Sequence, residues 1–253
     1  MRSVHNDKIT RIDDTMKKVA VLMMSLLCAM SVMAVDKSDV AAPVIEPNEM
    51  GFITLKDCPV KAPHVSTFVY DNEDGSMRAK VYVARSLMLW YDDLDVSGAE
   101  RNRTHYLDAN FDGYIDILIG SGESRNYSVL MLWDVEKESF KKVDNSMNGL
   151  LMLDPQSKTL LLEGSASWCS MFYSRYRFEG TEMKLVDQLV YITEPSEYGT
   201  YGVKAAYTIT TDEEPGDDGQ YRNVQLSTNS KASLPKHWQR IVNAYNQLQF
   251  NDE

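Results

Sequence analysis

One polar stretch sets the fold of this chain: Asp108-Ala109-Asn110-Phe111-Asp112-Gly113-Tyr114-Ile115-Asp116. Oxygen-bearing side chains occupy every second position up to the glycine, and one more carboxylate closes the stretch. This spacing lets a loop wrap a hard cation, because alternate side chains point inward and glycine permits the sharp turn. We therefore predict a Ca²⁺ site. Its expected ligands are the side chains of Asp108, Asn110, Asp112 and Asp116 and the main-chain carbonyl of Tyr114.

The residues on both sides of this stretch predict strands. Thr104 to Leu107 precede it and Tyr114 to Ile119 follow it, and both segments are rich in aromatic and branched side chains. An EF-hand loop would carry a bidentate glutamate at its twelfth position, which is Ile119 here. We expect a truncated calcium loop between two strands, completed by water or by Asp93, Asp95 or Glu123. The alternative is an Asx-rich hairpin turn with solvated carboxylates.

The N-terminal 34 residues have the pattern of an export signal. Lys17 and Lys18 precede an apolar run from Val19 to Val32, and Ala34 supplies a small residue for cleavage. We predict cleavage after Ala34, with residues 1–34 combining an over-long start and a signal peptide. A retained membrane anchor is the alternative. The mature chain is expected to be periplasmic or extracellular, without a membrane span, and residues 35–50 are expected to form a flexible leader.

The net charge limits the possible partners of this chain, and the cysteine content limits its possible disulfides. The whole chain has a formal net charge of −11, so the phosphates of nucleic acid would repel it. Two cysteines, Cys58 and Cys169, remain after the predicted cleavage. In an oxidising compartment they either form a disulfide or stay as two buried free thiols, because pairing geometry cannot be derived from sequence.

Residues 51–250 predict a single domain that is mainly antiparallel β, with one amphipathic helix at its C-terminal end. Strand-like segments alternate with Gly- and Asp-rich turns, and Gly164-Ser165-Ala166 is expected to be such a turn. Ser233 is a candidate N-cap for the helix. Apolar residues follow it at helical spacing, which predicts a core-facing stripe. The stripe consists of Trp238, Ile241, Val242, Tyr245 and Leu248.

The segment from Leu107 to Leu118 resembles the calcium loops of FG-GAP and VCBS-type β-propeller repeats. It is especially similar to a group of secreted bacterial proteins that carry a single D-x-N-F-D-G-Y-x-D element. The resemblance implies an antiparallel, propeller-like β domain in which the five residues proposed above bind Ca²⁺. Some members of that group resemble periplasmic inhibitors of lysozymes and related wall-cutting glycosidases. The resemblance therefore implies a binding protein whose partner is a glycosidase.

An inhibitor of this kind needs an exposed loop, and we expect partner contacts from Gly164, Ser165, Ser167 and Trp168. Two other functions remain open. A shallow groove lined by Trp90 and Tyr91 would indicate a surface or carbohydrate-binding module, and paired carboxylates among Asp92 to Asp95 would indicate a hydrolase. No serine elbow and no metal-type histidine spacing occurs in the sequence. We therefore expect a protein that binds rather than an enzyme.

Overall fold

A computed structural model describes most of the predicted mature chain. The described residues are 35–71, 77–84, 87–94, 103–120, 127–143, 147–167, 170–195, 201–210, 224–228 and 230–250. Residues from Lys37 onward form one compact unit. The predicted signal segment, residues 1–34, lies outside the described residues.

Fifteen strands and one α-helix are found in the described part of the chain. The first eight strands are β1 (Ile53–Thr54), β2 (Val65–Asp71), β3 (Met77–Val83), β4 (Leu87–Leu94), β5 (Thr104–Leu107), β6 (Asp116–Ile119), β7 (Tyr127–Asp134) and β8 (Ser139–Lys142). The remaining strands are β9 (Met147–Asn148), β10 (Leu150–Asp154), β11 (Thr159–Ser167), β12 (Ser170–Glu179), β13 (Glu182–Pro195), β14 (Tyr201–Thr210) and β15 (Val224–Thr228). Helix α1 spans Lys236–Phe250. Short 3₁₀ turns occupy Lys37–Val40 and Lys231–Ser233.

The strands form three antiparallel sheets. The largest has seven strands in the order β1-β10-β11-β12-β13-β14-β15, and a second has the order β2-β3-β4. The third has the order β5-β6-β7-β8, with β9 paired to β7. The predicted class, mainly antiparallel β with one C-terminal helix, is confirmed. The strand pairs do not establish the closed radial arrangement of a propeller, which stays a prediction.

Helix α1 covers one face of the seven-stranded sheet. Trp238, Ile241, Val242 and Tyr245 are buried there, as the helical spacing predicts, and they pack against sheet residues such as Met152. The Tyr245 hydroxyl donates to the Leu150 carbonyl at 3.1 Å. The helix begins at Lys236, after Pro235, so the prediction that Ser233 caps it is wrong. Ser233 instead ends the preceding 3₁₀ turn.

The other face of the seven-stranded sheet packs against the sheet β5–β8. Leu151 and Leu153 on β10 point into this second core, whereas Met152 between them points toward α1. Leu107 and Leu118 enter the same core from β5 and β6. Since side chains alternate along a strand, apolar residues at successive positions bury β10 on both faces. The second core thus lies directly behind the strands that flank the polar loop.

The segment expected to be a flexible leader has fixed contacts. Val40 is 2% exposed, and Ala41 forms an antiparallel bridge with Tyr114. The Val40 carbonyl accepts from the Ile115 N–H at 2.8 Å, and the Ala42 N–H donates to the Gly113 carbonyl at 3.1 Å. Burial of an apolar side chain and strand-like pairing hold this segment against the end of the polar loop.

Candidate metal centre and surrounding surfaces

The predicted calcium loop lies between β5 and β6, which pair directly through Leu107 and Asp116. Strands rather than helices flank the loop, as the sequence predicts. Gly113 has a φ of +85° and Phe111 a φ of +61°. A Cβ at Gly113 would meet no atom within 4 Å, so backbone conformation rather than space favours glycine there. The two left-handed residues turn the chain sharply enough to bring its carboxylates close together.

Asp108 holds the tip of the loop through its backbone amides. Its Oδ1 accepts from the Asp112 N–H and its Oδ2 from the Gly113 N–H, both at 3.0 Å. Burial raises the pKa of Asp108, and the nearby charge of Asp112 acts in the same direction, whereas the backbone hydrogen bonds oppose the increase. The loop therefore concentrates negative charge in a partly desolvated position.

Asn110 and Asp112 form the exposed side of the loop. The Asn110 Nδ2 donates to Asp112 Oδ2 at 2.8 Å, and Asp112 Oδ1 accepts from the Tyr114 N–H at 2.8 Å. Each ionised carboxylate oxygen has two lone-pair directions, so one backbone donor does not exhaust its capacity. The arrangement has the hydrogen bonds of an Asx-rich turn and keeps oxygen lone pairs for a cation.

Asp116 is fully buried and joins the loop to the sheet. Its Oδ2 accepts from the Ala109 N–H at 2.7 Å and its Oδ1 from the Trp133 N–H at 3.0 Å. Burial raises the pKa of Asp116 well above its usual value, although the two backbone donors favour the ionised form. The charges of Asp112 and Asp108 contribute to the same increase. A buried carboxylate beside two others is electrostatically costly, and a bound cation would offset that cost.

Within the described residues, no three His, Cys, Asp or Glu side chains form a group that is already arranged to hold a metal ion. The loop nevertheless carries five groups with oxygen donors, namely three carboxylates, one amide and one carbonyl, toward the roughly six to eight oxygens that Ca²⁺ takes. The residues therefore fit Ca²⁺ by donor type. Of the expected additional ligands, Asp95 and Glu123 lie outside the described residues. Asp93 lies on β4, and its side chain is not described.

The segment expected to contact a partner belongs to a strand. Gly164, Ser165 and Ser167 lie on β11, with Gly164 opposite Phe172 and Ser167 opposite Ser170 on β12. Gly164 is buried, because the Phe172 ring occupies the position of a side chain there. The prediction of a loop at Gly164-Ser165-Ala166 is therefore wrong. Trp168 lies outside the described residues, so the partner-binding role of this segment stays a prediction.

Cys58 is a free, buried thiol rather than half of a disulfide. Its Sγ donates to the Thr54 carbonyl at 3.4 Å. Burial raises its pKa to about 12, and the charge of Asp57 adds to the effect. Cys169 lies outside the described residues. Of the two alternatives given by the sequence, the structure has the free thiol at Cys58.

Trp90 and Tyr91 do not line a common groove. They lie on opposite faces of β4, with Trp90 41% exposed and Tyr91 half-buried. The Tyr91 hydroxyl accepts from the Phe140 N–H at 2.8 Å, which ties β4 to β8. Asp92 is exposed and accepts from the Trp90 indole N–H at 2.8 Å. A shared sugar groove at these two aromatic residues is therefore excluded by strand alternation.

Comparisons with known proteins assign no family to this chain. No family model matches it, and no curated protein matches it. Among solved structures, it is similar to a protein described as a Xanthomonas Type IV Secretion System related protein, with 15% sequence identity and a TM-score of 0.39. The match covers 69% of this chain and 95% of that chain. A likeness at this TM-score supports no statement about fold or function.

Proposed function

We propose that this chain is an exported, calcium-stabilised β protein that acts by binding another protein, and that its partner is a wall-degrading glycosidase. The observation that carries the proposal is the setting of the loop. Asp116 is fully buried and hydrogen-bonded to both the loop and β7. A cation at this position would hold strands together, which suits a structural role better than a catalytic one.

The proposal also includes export from the cell, a propeller-like fold and a glycosidase as the partner. The N-terminal pattern ending at Ala34 supports export, and none of the helices in the described ranges is long and apolar enough to cross a membrane. The resemblance of the loop to FG-GAP and VCBS repeats supports a propeller-like arrangement of the sheets. The same resemblance supports a glycosidase as the partner, since related secreted proteins resemble inhibitors of such enzymes.

Calorimetry with CaCl₂ tests the cation site on the mature chain. Wild type should bind one Ca²⁺ with a Kd at the weak extracellular end of the range, about 10⁻⁴ to 10⁻³ M. Asp112→Ala should lose binding because it removes an exposed ligand without opening the core. Glu136→Ala, which removes an exposed acid in the turn between β7 and β8, is the matched control. Unchanged Ca²⁺ binding in Asp112→Ala would refute the site.

Inhibition assays test the partner class. The mature chain in Ca²⁺ should slow the clearing of peptidoglycan suspensions by at least one of a panel of lysozymes, or by glycosidase activity in an envelope extract. If none is slowed, and immobilised protein captures no partner from that extract, the inhibitory function is wrong. If Ca²⁺ still binds in that case, the domain is calcium-stabilised but has a function other than inhibition.

A carbohydrate-binding module is the second candidate, and one observation favours it. Trp90 is 41% exposed on an open sheet face, where an aromatic ring can stack on a sugar. Binding of soluble peptidoglycan fragments by the mature chain, without any protein partner, would support this alternative.

A further inference from the structure

One face of the sheet β2-β3-β4 is open and unusually apolar. Inward residues of β3 such as Val81 are fully buried, whereas outward side chains on β2 and β4 are exposed. The exposed fractions are 50% for Phe68, 40% for Tyr70, 55% for Met88 and 41% for Trp90. These are four of the eight exposed large apolar side chains in the described residues. A contiguous patch of this kind marks an interaction surface more often than scattered apolar residues do.

Two cations lie within this patch. The register places Lys80 of β3 between Phe68 of β2 and Trp90 of β4. The Lys80 Nζ lies 4.5 Å from the centroid of the Trp90 ring and 5.6 Å from that of Tyr70. The Arg78 guanidinium carbon lies 5.0 Å from the Trp90 ring. We call these six side chains the outer face: Phe68, Tyr70, Arg78, Lys80, Met88 and Trp90.

Contacts within the sheet hold two rings of the outer face, those of Trp90 and Phe68. The Trp90 indole N–H donates to Asp92, and the rings of Phe68 and Tyr82 pack edge to face with centroids 5.8 Å apart. The Arg78 Nε is buried and has no hydrogen-bond partner among the described residues. Rings held in place lose little conformational freedom on binding, which favours affinity.

We propose that the outer face is the site at which this chain binds its protein partner, and that the partner presents apolar side chains together with carboxylates. This inference rests on the proposed protein-binding function and names the surface that performs it. Trp, Tyr, Met and Arg are the residues enriched in protein interfaces and their energetic centres. Gly164, by contrast, is buried under the ring of Phe172 and offers a partner no side chain.

The charges determine what the partner must offer. Lys80 and Arg78 stand in the middle of the patch, so an interface formed there would cover them. Asp92, which is hydrogen-bonded to Trp90, already offers one carboxylate beside this patch. A covered cation without a counter-charge strongly opposes binding, so the partner must supply a further carboxylate opposite Lys80. The composition also disfavours sugar. The Trp90 N–H is already used by Asp92, and Met88 and Phe68 offer no hydrogen bond to a hydroxyl.

The test starts from a partner captured on the immobilised mature chain in Ca²⁺ from an envelope extract, identified by mass spectrometry and then purified. Its Kd is measured against wild type, Trp90→Ala and Lys80→Glu. Trp90→Ala should weaken binding about 30-fold and Lys80→Glu about 100-fold, as expected for central interface residues. Control variants Val135→Ala and Lys141→Glu change exposed residues elsewhere and should stay within about 3-fold of wild type.

Each variant must have the melting temperature of the wild type, which shows that it is folded. If Trp90→Ala melts at a lower temperature, Phe68→Ala takes its place.

A carboxylate-to-lysine change on the partner should restore binding to Lys80→Glu. If the purified partner binds Trp90→Ala, Phe68→Ala and Lys80→Glu as tightly as wild type, this inference is wrong and the proposed function survives. If no partner is captured and no lysozyme is inhibited, the proposed function fails and this inference with it. If peptidoglycan fragments bind wild type but not Trp90→Ala, the face is a glycan site and the inference is overturned.

Discussion

Asp116 on β6 accepts a hydrogen bond from the backbone N–H of Trp133 on β7, with 3.0 Å between Oδ1 and nitrogen. Its other oxygen accepts from Ala109 inside the loop. One buried carboxylate thus links the loop to a neighbouring strand 17 positions away. Because of these two hydrogen bonds, the position of the Asp116 side chain determines the position of the loop on the sheet.

Calcium should raise the thermal stability of the mature chain. A ligand that binds only the folded state at 100 times its Kd adds about 2.7 kcal/mol to the free energy of unfolding. For a domain of this size, that corresponds to an increase in Tm of about 5 to 10 °C. Differential scanning fluorimetry with CaCl₂ and with EGTA measures the difference. Asp112→Ala should abolish it and Glu136→Ala should preserve it; equal shifts in both variants would contradict the assignment.

Asp116→Asn should destabilise the chain even in EGTA. The substitution keeps the size of the side chain but replaces one acceptor oxygen with a donor, which faces a backbone N–H. Leaving that buried N–H without an acceptor lowers the free energy of unfolding by about 2 kcal/mol. Urea denaturation in EGTA measures this loss. Asp112→Ala, which changes an exposed residue, should show little loss under the same conditions, and equal losses would mean that Asp116 has no separate structural role.

Arg175 should stabilise the chain in a pH-dependent way through Asp187. Burial raises the pKa of Asp187. The nearby His237, whose Nε2 lies 3.6 Å from Oδ2, and the hydrogen bonds from Arg175 together outweigh burial, so the pKa lies below its usual value. A lowered folded-state pKa adds stability above the unfolded value, and this contribution is lost as pH falls through the folded pKa. Arg175→Met leaves a buried carboxylate without its main partner. It should lower the free energy of unfolding at neutral pH by about 3 kcal/mol.

Urea midpoints measured from about pH 7 down to about pH 2 test this coupling. The difference between Arg175→Met and wild type should shrink as acid protonates Asp187. Lys184→Met removes a solvent-exposed pair with Glu182 on the same strand, β13, and should leave the midpoint almost unchanged. A pH-independent difference for Arg175→Met would show that packing alone accounts for the loss.

Cys58 should be inert in the folded protein. With a pKa of about 12 and a buried Sγ, very little thiolate is present at neutral pH, and the thiolate is the reactive form. In a mature Cys169→Ser variant, Ellman's reagent should modify Cys58 only after denaturant is added. Rapid modification without denaturant would contradict its burial.

Two glycine substitutions should differ in severity. A Cβ at Gly149 would lie 1.9 Å from the Glu163 carbonyl oxygen, and the φ of Gly149 is +149°. At Gly164 the clash is with the ring of Phe172, a side chain that can shift more readily than backbone. Overpacking costs about 1 to 3 kcal/mol where a side chain can shift. Thermal melting should therefore place Gly149→Ala below Gly164→Ala, and the reverse order would contradict the backbone clash.

Local sequence patterns were sufficient to predict those features that depend on residues close together in the chain. The loop from Asp108 to Asp116 and its flanking strands follow from residue spacing, and the buried stripe of α1 follows from helical periodicity. The turn at Glu179-Gly180-Thr181 was also predictable; Gly180 there has a φ of +61°. Each of these features depends on residues within a few positions of one another.

Local sequence patterns could not predict features that depend on contacts between residues far apart in the chain. The ladder between β11 and β12 passes through Gly164, because a ring from Phe172 fills the space where the glycine lacks a side chain. Likewise, residues near Val40 are held by burial of that side chain and by pairing with Tyr114, which lies far along the chain. Side chains along β2, β3 and β4 point alternately to the two faces of their sheet. Tertiary packing decides which of these two faces is buried and which stays exposed.

Among the described residues, the two largest fully buried side chains, Trp238 and Tyr245, both belong to helix α1. Synthesis runs from the N-terminus to the C-terminus, so every strand of the seven-stranded sheet is made before this helix. Until α1 packs, the sheet exposes the apolar face that carries Met152 and Leu161. A protein cut short before Trp238 would therefore keep this face open to solvent and to aggregation.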